Sequence, residues 1–196
     1  MNYDNHYAQP NKQEYLKNKA SLDKNYLFPL IDSNKNTLNV GAGYFVEKDL
    51  LKIKKIICGD IDATALKHLK AKGNETVYLD AKGNFPFKDN QFEQILVLEV
   101  IEHLGQIDFF VSELKRVLKE DGFLIISCPL LNHWKNRLAL LKSSTKNVLY
   151  DEHPRLFFDS DIKRIFTTAD FVLIKSAYVG LTKGFGYYKF KKEGKE

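Results

Sequence analysis

The sequence predicts an α/β fold: a mostly parallel seven-stranded sheet, flanked by helices and closed by an antiparallel final hairpin. Three observations point there. Short apolar runs alternate with helix-periodic segments, the pattern of strands joined by helical crossovers. The chain has 196 residues with 44% hydrophobic content, enough for one domain with a real core. The last two strand-like runs are separated only by "GLTKG", a hairpin-length connection.

The elements follow in order. Residues 1–35 read as an N-terminal helical segment with one or two amphipathic helices. "TLNV" (37–40) is a short apolar run stopped by Gly41. "KIIC" (55–58) is a second, followed by the helix-like "DATALKHLKAKG", where Asp62 caps the start and Gly73 the end. "TVYL" (76–79) is a third strand, and "QILVL" (94–98) is a fourth, apolar enough to be buried on both faces. In "IDFFVSELKRVLKEDG", Ile107, Phe110, Val111, Leu114 and Leu118 recur at helical spacing, and Gly122 ends the run. "GFLIISC" (122–128) is the fifth strand. A helix over "NHWKNRLALLKS" follows Pro129. "DSDIKRIFTTADF" predicts a capped helix with Ile162, Ile165 and Phe166 inward, and "FVLIKSAYV" and "GYYKFKK" form the hairpin. There is no internal repeat and no Pro/Ser-rich linker, so residues 1–196 read as a single domain.

No apolar run approaches the roughly 18 residues of a membrane helix, and "MNYDNHYAQPNKQEYLKNKA" lacks a signal-peptide core. The expectation is a cytoplasmic protein. Cys58 and Cys128 lie far apart in apolar runs with no CxxC or metal spacing, which predicts buried free thiols. The formal charge of +5 is compatible with an anionic partner. However, the lysines are scattered, and arginine forks, the usual recognition chemistry, are few.

The stretch "NTLNVGAGYF" is the first candidate site. In an open α/β sheet, ligands bind beyond the carboxyl ends of the strands, near the point where strand order reverses. Two glycines alone also fit an ordinary tight turn. Asp60 follows the second strand about 20 residues after the turn, where a carboxylate can accept both ribose hydroxyls of a nucleoside. Asp80, just past the third strand, can accept from an adenine amino group, or can cap its own turn. A dinucleotide fingerprint wants a third glycine, but position 46 is valine. S-adenosylmethionine has no pyrophosphate and needs less backbone approach.

Four ordered blocks, spanning roughly residues 36–130, resemble the class I S-adenosylmethionine-dependent methyltransferases, in the branch that includes the ubiquinone and menaquinone methyltransferases. "LNVGAGYF" looks like the LDVGCGTG loop, and "CGDIDATAL" is similar to the GxDxS block. "LDAKGNFPFKDNQFEQILVLEVIEHL" closely resembles DAxxLPFxDxSFDxVxxxxVLEHL, and "ELKRVLKEDGFLIISCP" looks like ExxRVLKPGGxLxxSxP. The resemblance implies a Rossmann-like three-layer sandwich. It places Gly41, Ala42 and Gly43 under the methionine part and ribose of S-adenosyl-L-methionine. It puts Asp60 on the ribose hydroxyls, Ile61 on the adenine, Asp80 with Ala81 at the adenine amino group, and Glu99 at the cofactor. Two positions depart from the pattern: Phe45 stands for the third loop glycine, and Asn39 for the usual acidic residue of the first strand. Downstream, "CPLLNHWKNRLALLKSS" and "DEHPRLFFDSDIKRIFTTADF" are similar to a sub-branch that includes methyltransferases of glycan and lipid biosynthesis clusters, and to MetW-like proteins. Residues 129–160 are therefore expected to form an acceptor-pocket insertion. The acceptor implied is a small molecule or a glycan- or lipid-linked group; the alternative is a non-catalytic MetW-like partner of a biosynthetic enzyme.

Methyl transfer from a sulfonium needs alignment and desolvation, with a general base only for a hydroxyl or protonated amine. Of five histidines, His6 lies in the N-terminal segment and His68 on a solvated helix face. His103, His133 and His153 are the candidate bases, though each is also readable as a hydrogen-bonded loop histidine. Trp134, Arg137 and Arg155 are candidate pocket residues, the arginines suited to a phosphate or carboxylate. Glu99, Glu102 and His103 in "EVIEH" have the letters of a hard-metal site, but the family carries them without metal, and none is assigned. Methyltransferases acting on nucleic-acid amino groups carry a Pro-Pro-aromatic signature after the fourth strand. "LEVIEHL" has no proline, so no nucleic-acid substrate is expected.

Overall fold

The computed structural model describes residues 25–44, 52–131, 155, 157–179 and 184–194. Seven strands form one sheet: β1 (Asn36–Val40), β2 (Lys55–Asp60), β3 (Glu75–Tyr78), β4 (Phe92–Leu98), β5 (Leu118–Pro129), β6 (Phe171–Val179) and β7 (Phe185–Lys192). Their spatial order is β3-β2-β1-β4-β5-β7-β6. The pairs from β3 across to β5 are parallel, and β7 runs antiparallel to both β5 and β6. Among the described residues three helices accompany the sheet: α1 (Ala63–Ala71), α2 (Ile107–Val117) and α3 (Asp159–Thr167).

Side-chain alternation along the strands divides the core into two layers. Leu38, Val40, Ile95, Val97, Leu124, Ile126, Tyr188 and Phe190 face α2 and α3, meeting Phe110, Leu114, Ile162 and Phe166. Leu96, Ile125, Cys58 and Tyr187 face the other way, toward Leu69 of α1 and toward Leu27 and Leu30. Both layers are needed because strands such as β4 are apolar on both sides. Each fully buried Leu, Ile or Phe stabilises the fold by about 1.5–3 kcal/mol relative to exposure. Cys58 and Cys128 are both buried thiols.

The sheet starts in the middle. β1 has β2 on one side and β4 on the other, so strand order reverses at its carboxyl end, which is where such sheets open a crevice. The crossover through α1 fits its sequence signals. Asp62 accepts from the Thr64 amide at 2.8 Å as N-cap, and Gly73 takes φ +78° beyond the C-cap.

One boundary differs from the periodicity reading. α2 ends at Val117, and Leu118, with ψ 132°, already begins β5. Leu118 is buried as predicted, but from a strand paired to Phe92. The register then shifts, so residues 119–122 bulge out between the Phe92 and Gln94 pairings. The left-handed residue of that bulge is Asp121, at φ +62°. Gly122 serves close approach instead: a Cβ there would lie 2.8 Å from the Lys119 carbonyl.

Of the N-terminal helical segment, the described part is residues 25–35, which carry the 3₁₀ helix Phe28–Leu30, and residues 1–24 lie outside the described residues. The helix predicted over "NHWKNRLALLKS" also lies outside them. Of the 129–160 segment, the described residues include Leu130, which bridges Phe157 in parallel.

Candidate functional site

The carboxyl ends of β1, β2, β3 and β4 bring most of the predicted cofactor-side residues to one edge. β1 ends at Val40 and the chain turns through Gly41 at φ +67° and Gly43 at φ +49°. Gly41 is required for two reasons: L-residues rarely take that φ, and a Cβ there would sit 2.5 Å from Val100 Cγ2. Ala42 is buried and donates its amide to the Gly59 carbonyl at 3.0 Å, which pulls the loop down onto β2.

Asp60, the last residue of β2, is 9% exposed. Its Oδ2 accepts from the Gly43 amide at 2.6 Å and its Oδ1 from the Asp62 amide at 2.8 Å. The carboxylate thus ties the glycine loop to the start of the crossover. Each oxygen retains a second lone pair for a hydroxyl. Ile61, next along, is 48% exposed, an apolar surface open to a flat ring. The Leu79 amide donates to the Asp60 carbonyl at 2.9 Å, so Asp80 is held close to Asp60. Asp80 Oδ1 accepts from the Lys82 amide at 2.8 Å, the turn-capping role foreseen as its alternative. A carboxylate can serve both. Ala81 is half-buried beside it.

Glu99 follows β4 with φ +56°, a conformation that costs a non-glycine residue about 1–3 kcal/mol and concentrates at ligand sites. Its amide is fixed to the Ser127 carbonyl at 2.9 Å. Val100 then packs under Gly41, and the 3₁₀ turn Ile101–His103 places Glu102 in the interior and His103 in the open. Among the described residues no group of three His, Cys, Asp or Glu side chains is placed to hold a metal ion. His133, His153, Trp134, Arg137 and Phe45 lie outside the described residues. Arg155 is exposed and donates to the Gly105 carbonyl.

Farther along the same edge, Asp159 opens α3. Its Oδ1 accepts from Tyr178 at 2.7 Å and Tyr188 at 2.9 Å, and its Oδ2 from Lys163 at 2.7 Å. Burial alone would raise its carboxyl. The donors outweigh that and hold it below the usual carboxylate range. Cys128, nearby, has its thiol pushed well up, first by burial and then by the charges of Glu102, Glu99 and Asp159. It is an inert thiol, and the local field is negative.

Two features were missed in the sequence. His68, read as solvated, lies edge-on to the Tyr44 ring of the glycine loop, with centroids 5.2 Å apart. Nothing in the local pattern marks that contact. Glu113 and Arg116 bind the segment after Asp80, and here the signal existed, in the letters "ELKRV".

The site thus consists of a glycine turn, a strand-end carboxylate fastened to it and a second carboxylate one strand over. Residues 38–126 match the family profile described as a methyltransferase domain. That span contains each predicted cofactor-side residue, from Gly41 to Glu99. Among curated relatives, a probable S-adenosylmethionine-dependent methyltransferase of Mycobacterium tuberculosis is 30% identical over 90 residues, covering 45% of this chain and 33% of that one. An uncharacterized protein of Methanocaldococcus jannaschii is 34% identical over 89 residues, covering 45% and 38%. The chain thus spans little more than a third of the length of the curated relatives it matches. Among solved structures, a possible histamine N-methyltransferase from Thermotoga maritima superposes with a TM-score of 0.77 at 18% identity, covering 97% of both chains. That likeness extends the methyltransferase-domain fold past the matched span, to β7 and β6.

Proposed function

We propose that this chain is an S-adenosylmethionine-dependent methyltransferase acting on a small-molecule or glycan- or lipid-linked acceptor, in the cytoplasm. The observation that carries the reading is Asp60. It is a strand-end carboxylate that organises the glycine loop and keeps lone pairs for two ribose hydroxyls. Gly41, Ala42 and Gly43 would pass under the methionine and ribose, Ile61 would cover adenine, and Asp80 with Ala81 would meet the adenine edge. Glu99 would face the same ligand. The resemblance of the "FPFKDNQFEQILVLEVIEH" block supports a reading within the ubiquinone- and menaquinone-methyltransferase-like branch.

S-adenosylmethionine supplies a methyl group already activated on a sulfonium. The protein's task is to align it for in-line displacement and keep water away. The acidic edge formed by Asp60, Asp80 and Glu99 suits a ligand that carries positive sulfonium and ammonium groups. If the acceptor is a hydroxyl or a protonated amine, His103, His133 and His153 are the proposed bases. Residues 129–160 would frame the acceptor pocket.

Titration calorimetry with S-adenosylmethionine and S-adenosylhomocysteine tests the proposal. Binding of both is expected, with formation of S-adenosylhomocysteine when a cell extract serves as acceptor pool. A folded protein that binds neither at millimolar concentration would sink it.

A further inference from the structure

Arg116 uses its whole guanidinium on one short segment and its support. Nε and one Nη2 hydrogen go to Glu113 Oε1 and Oε2 at 2.7 and 2.8 Å. The remaining donors go to the Phe85 carbonyl at 3.1 Å, the Phe87 carbonyl at 2.8 Å and Asp89 Oδ1 at 2.8 Å. Glu113, one turn earlier on α2, accepts in return from the Phe85 amide at 2.6 Å. Phe85 is thus gripped at both its amide and its carbonyl, and its ring is buried edge-on to Phe110 at 6.0 Å. Arg116 holds the Glu113 carboxyl below the usual range, with the Phe85 amide adding to the effect.

The gripped segment is the one that leaves Asp80. The Asp80 turn is itself closed by the Lys82 and Gly83 amides, at 2.8 and 3.0 Å. Only Asn84 separates that turn from Phe85. Upstream, the Leu79 amide is fixed to the Asp60 carbonyl. Asp80 therefore sits on a short span with one anchor on β2 and the other on α2.

We infer that Glu113 and Arg116 are positioning residues for the Asp80 side of the cofactor site: a clamp on Phe85 that fixes where the Asp80 carboxylate stands without touching the ligand. The inference rests on the functional reading above. Lysine cannot replace the fork, because an ammonium lacks the planar array that reaches Glu113 and two carbonyls together.

The test is a double-mutant cycle on the full chain, read as affinity for S-adenosylhomocysteine by calorimetry. Arg116→Lys and Asp80→Asn are each expected to weaken binding about tenfold, the size of one charge-assisted hydrogen bond. The double variant should bind about as well as the weaker single variant, because a mispositioned Asp80 has little left to lose. A stability control is Gly73→Ala, beyond the C-cap of α1 and away from the clamp, which should leave affinity unchanged. Amide exchange at Phe85 should quicken in Arg116→Lys. If Arg116→Lys does not fold, Glu113→Gln takes its place in the same cycle. Effects that multiply in the double variant, or wild-type affinity in a folded clamp variant, overturn the inference while leaving the cofactor assignment standing. Failure of the wild-type protein to bind S-adenosylhomocysteine overturns that assignment, and the clamp's role with it.

Discussion

Replacing Asp60 by alanine removes two charge-assisted hydrogen bonds, from Gly43 at 2.6 Å and Asp62 at 2.8 Å, along with the proposed acceptor for ribose. The two losses separate in the assay. Hydrogen bonds to charged groups contribute about 1.5–3 kcal/mol each, but Gly43 and Asp62 are only half-buried, and water replaces part of what they lose. A stability loss of about 1–2 kcal/mol is expected on that basis. Affinity for S-adenosylhomocysteine should fall by about 1.5–3 kcal/mol, roughly 10- to 150-fold. Asp60→Asn should fall between, since its single carbonyl oxygen cannot serve both amides and a hydroxyl. Asp62→Ala is the control. It deletes only the N-cap of α1 and should cost about 0.5–2 kcal/mol of stability with little change in affinity. Calorimetry and urea unfolding on the same preparations read both quantities. Unchanged affinity in Asp60→Ala, or affinity lost only in Asp62→Ala, would refute the reasoning by moving the ribose contact off the end of β2.

Three further outcomes are expected. Lys192→Met should destabilise the fold by about 1–3 kcal/mol in urea, because the Lys192 ammonium is buried against the Leu118 carbonyl at 2.8 Å, Asn90 at 3.0 Å and Glu120 at 2.9 Å; an unchanged midpoint counts against this. Asp159 has a lowered folded pKa, so its contribution is complete above its unfolded value near pH 4 and is lost as pH falls through the folded value. Asp159→Asn should therefore show a smaller drop in stability between pH 7 and 3 than wild type, and equal drops would contradict the assignment. Gly41→Ala and Gly73→Ala share a positive φ, at about +67° and +78°, but a Cβ meets Val100 at 2.5 Å only in the first. Gly73→Ala should cost about 1 kcal/mol and Gly41→Ala clearly more, with part of the excess recovered in Gly41→Ala/Val100→Ala.

The central strands were legible as short apolar runs, β1 ending at Val40 before the positive-φ Gly41. The end of α2 was not. Leu118 continues the spacing of Leu114, and side-chain periodicity follows which residues are buried, not the ψ that turns helix into strand. The left-handed marker was Asp121, which does not announce itself as a glycine would. At the candidate site, Asp60 was singled out by its distance along the chain from Gly41, yet its grip on the Gly43 amide depends on how β1 and β2 lie together. Glu113 and Arg116 were visible as letters of a motif, but what they hold lies some 30 residues earlier, beyond any local pattern.

The position of β7 has a consequence for how the sheet is completed. β7 lies between β5 and β6, although it follows β6 in the chain. Until β7 inserts, β6 has no strand to pair with, and the outer side of β5 is an unsatisfied edge. Phe190 and Tyr188, which fill the layer beneath α3, arrive with the same strand. During synthesis, the five strands from β3 across to β5 can form first, while β6 and α3 wait for a keystone that leaves the ribosome after them. A chain interrupted before β7 would present both open edges at once, a target for quality-control factors that recognise unpaired strands.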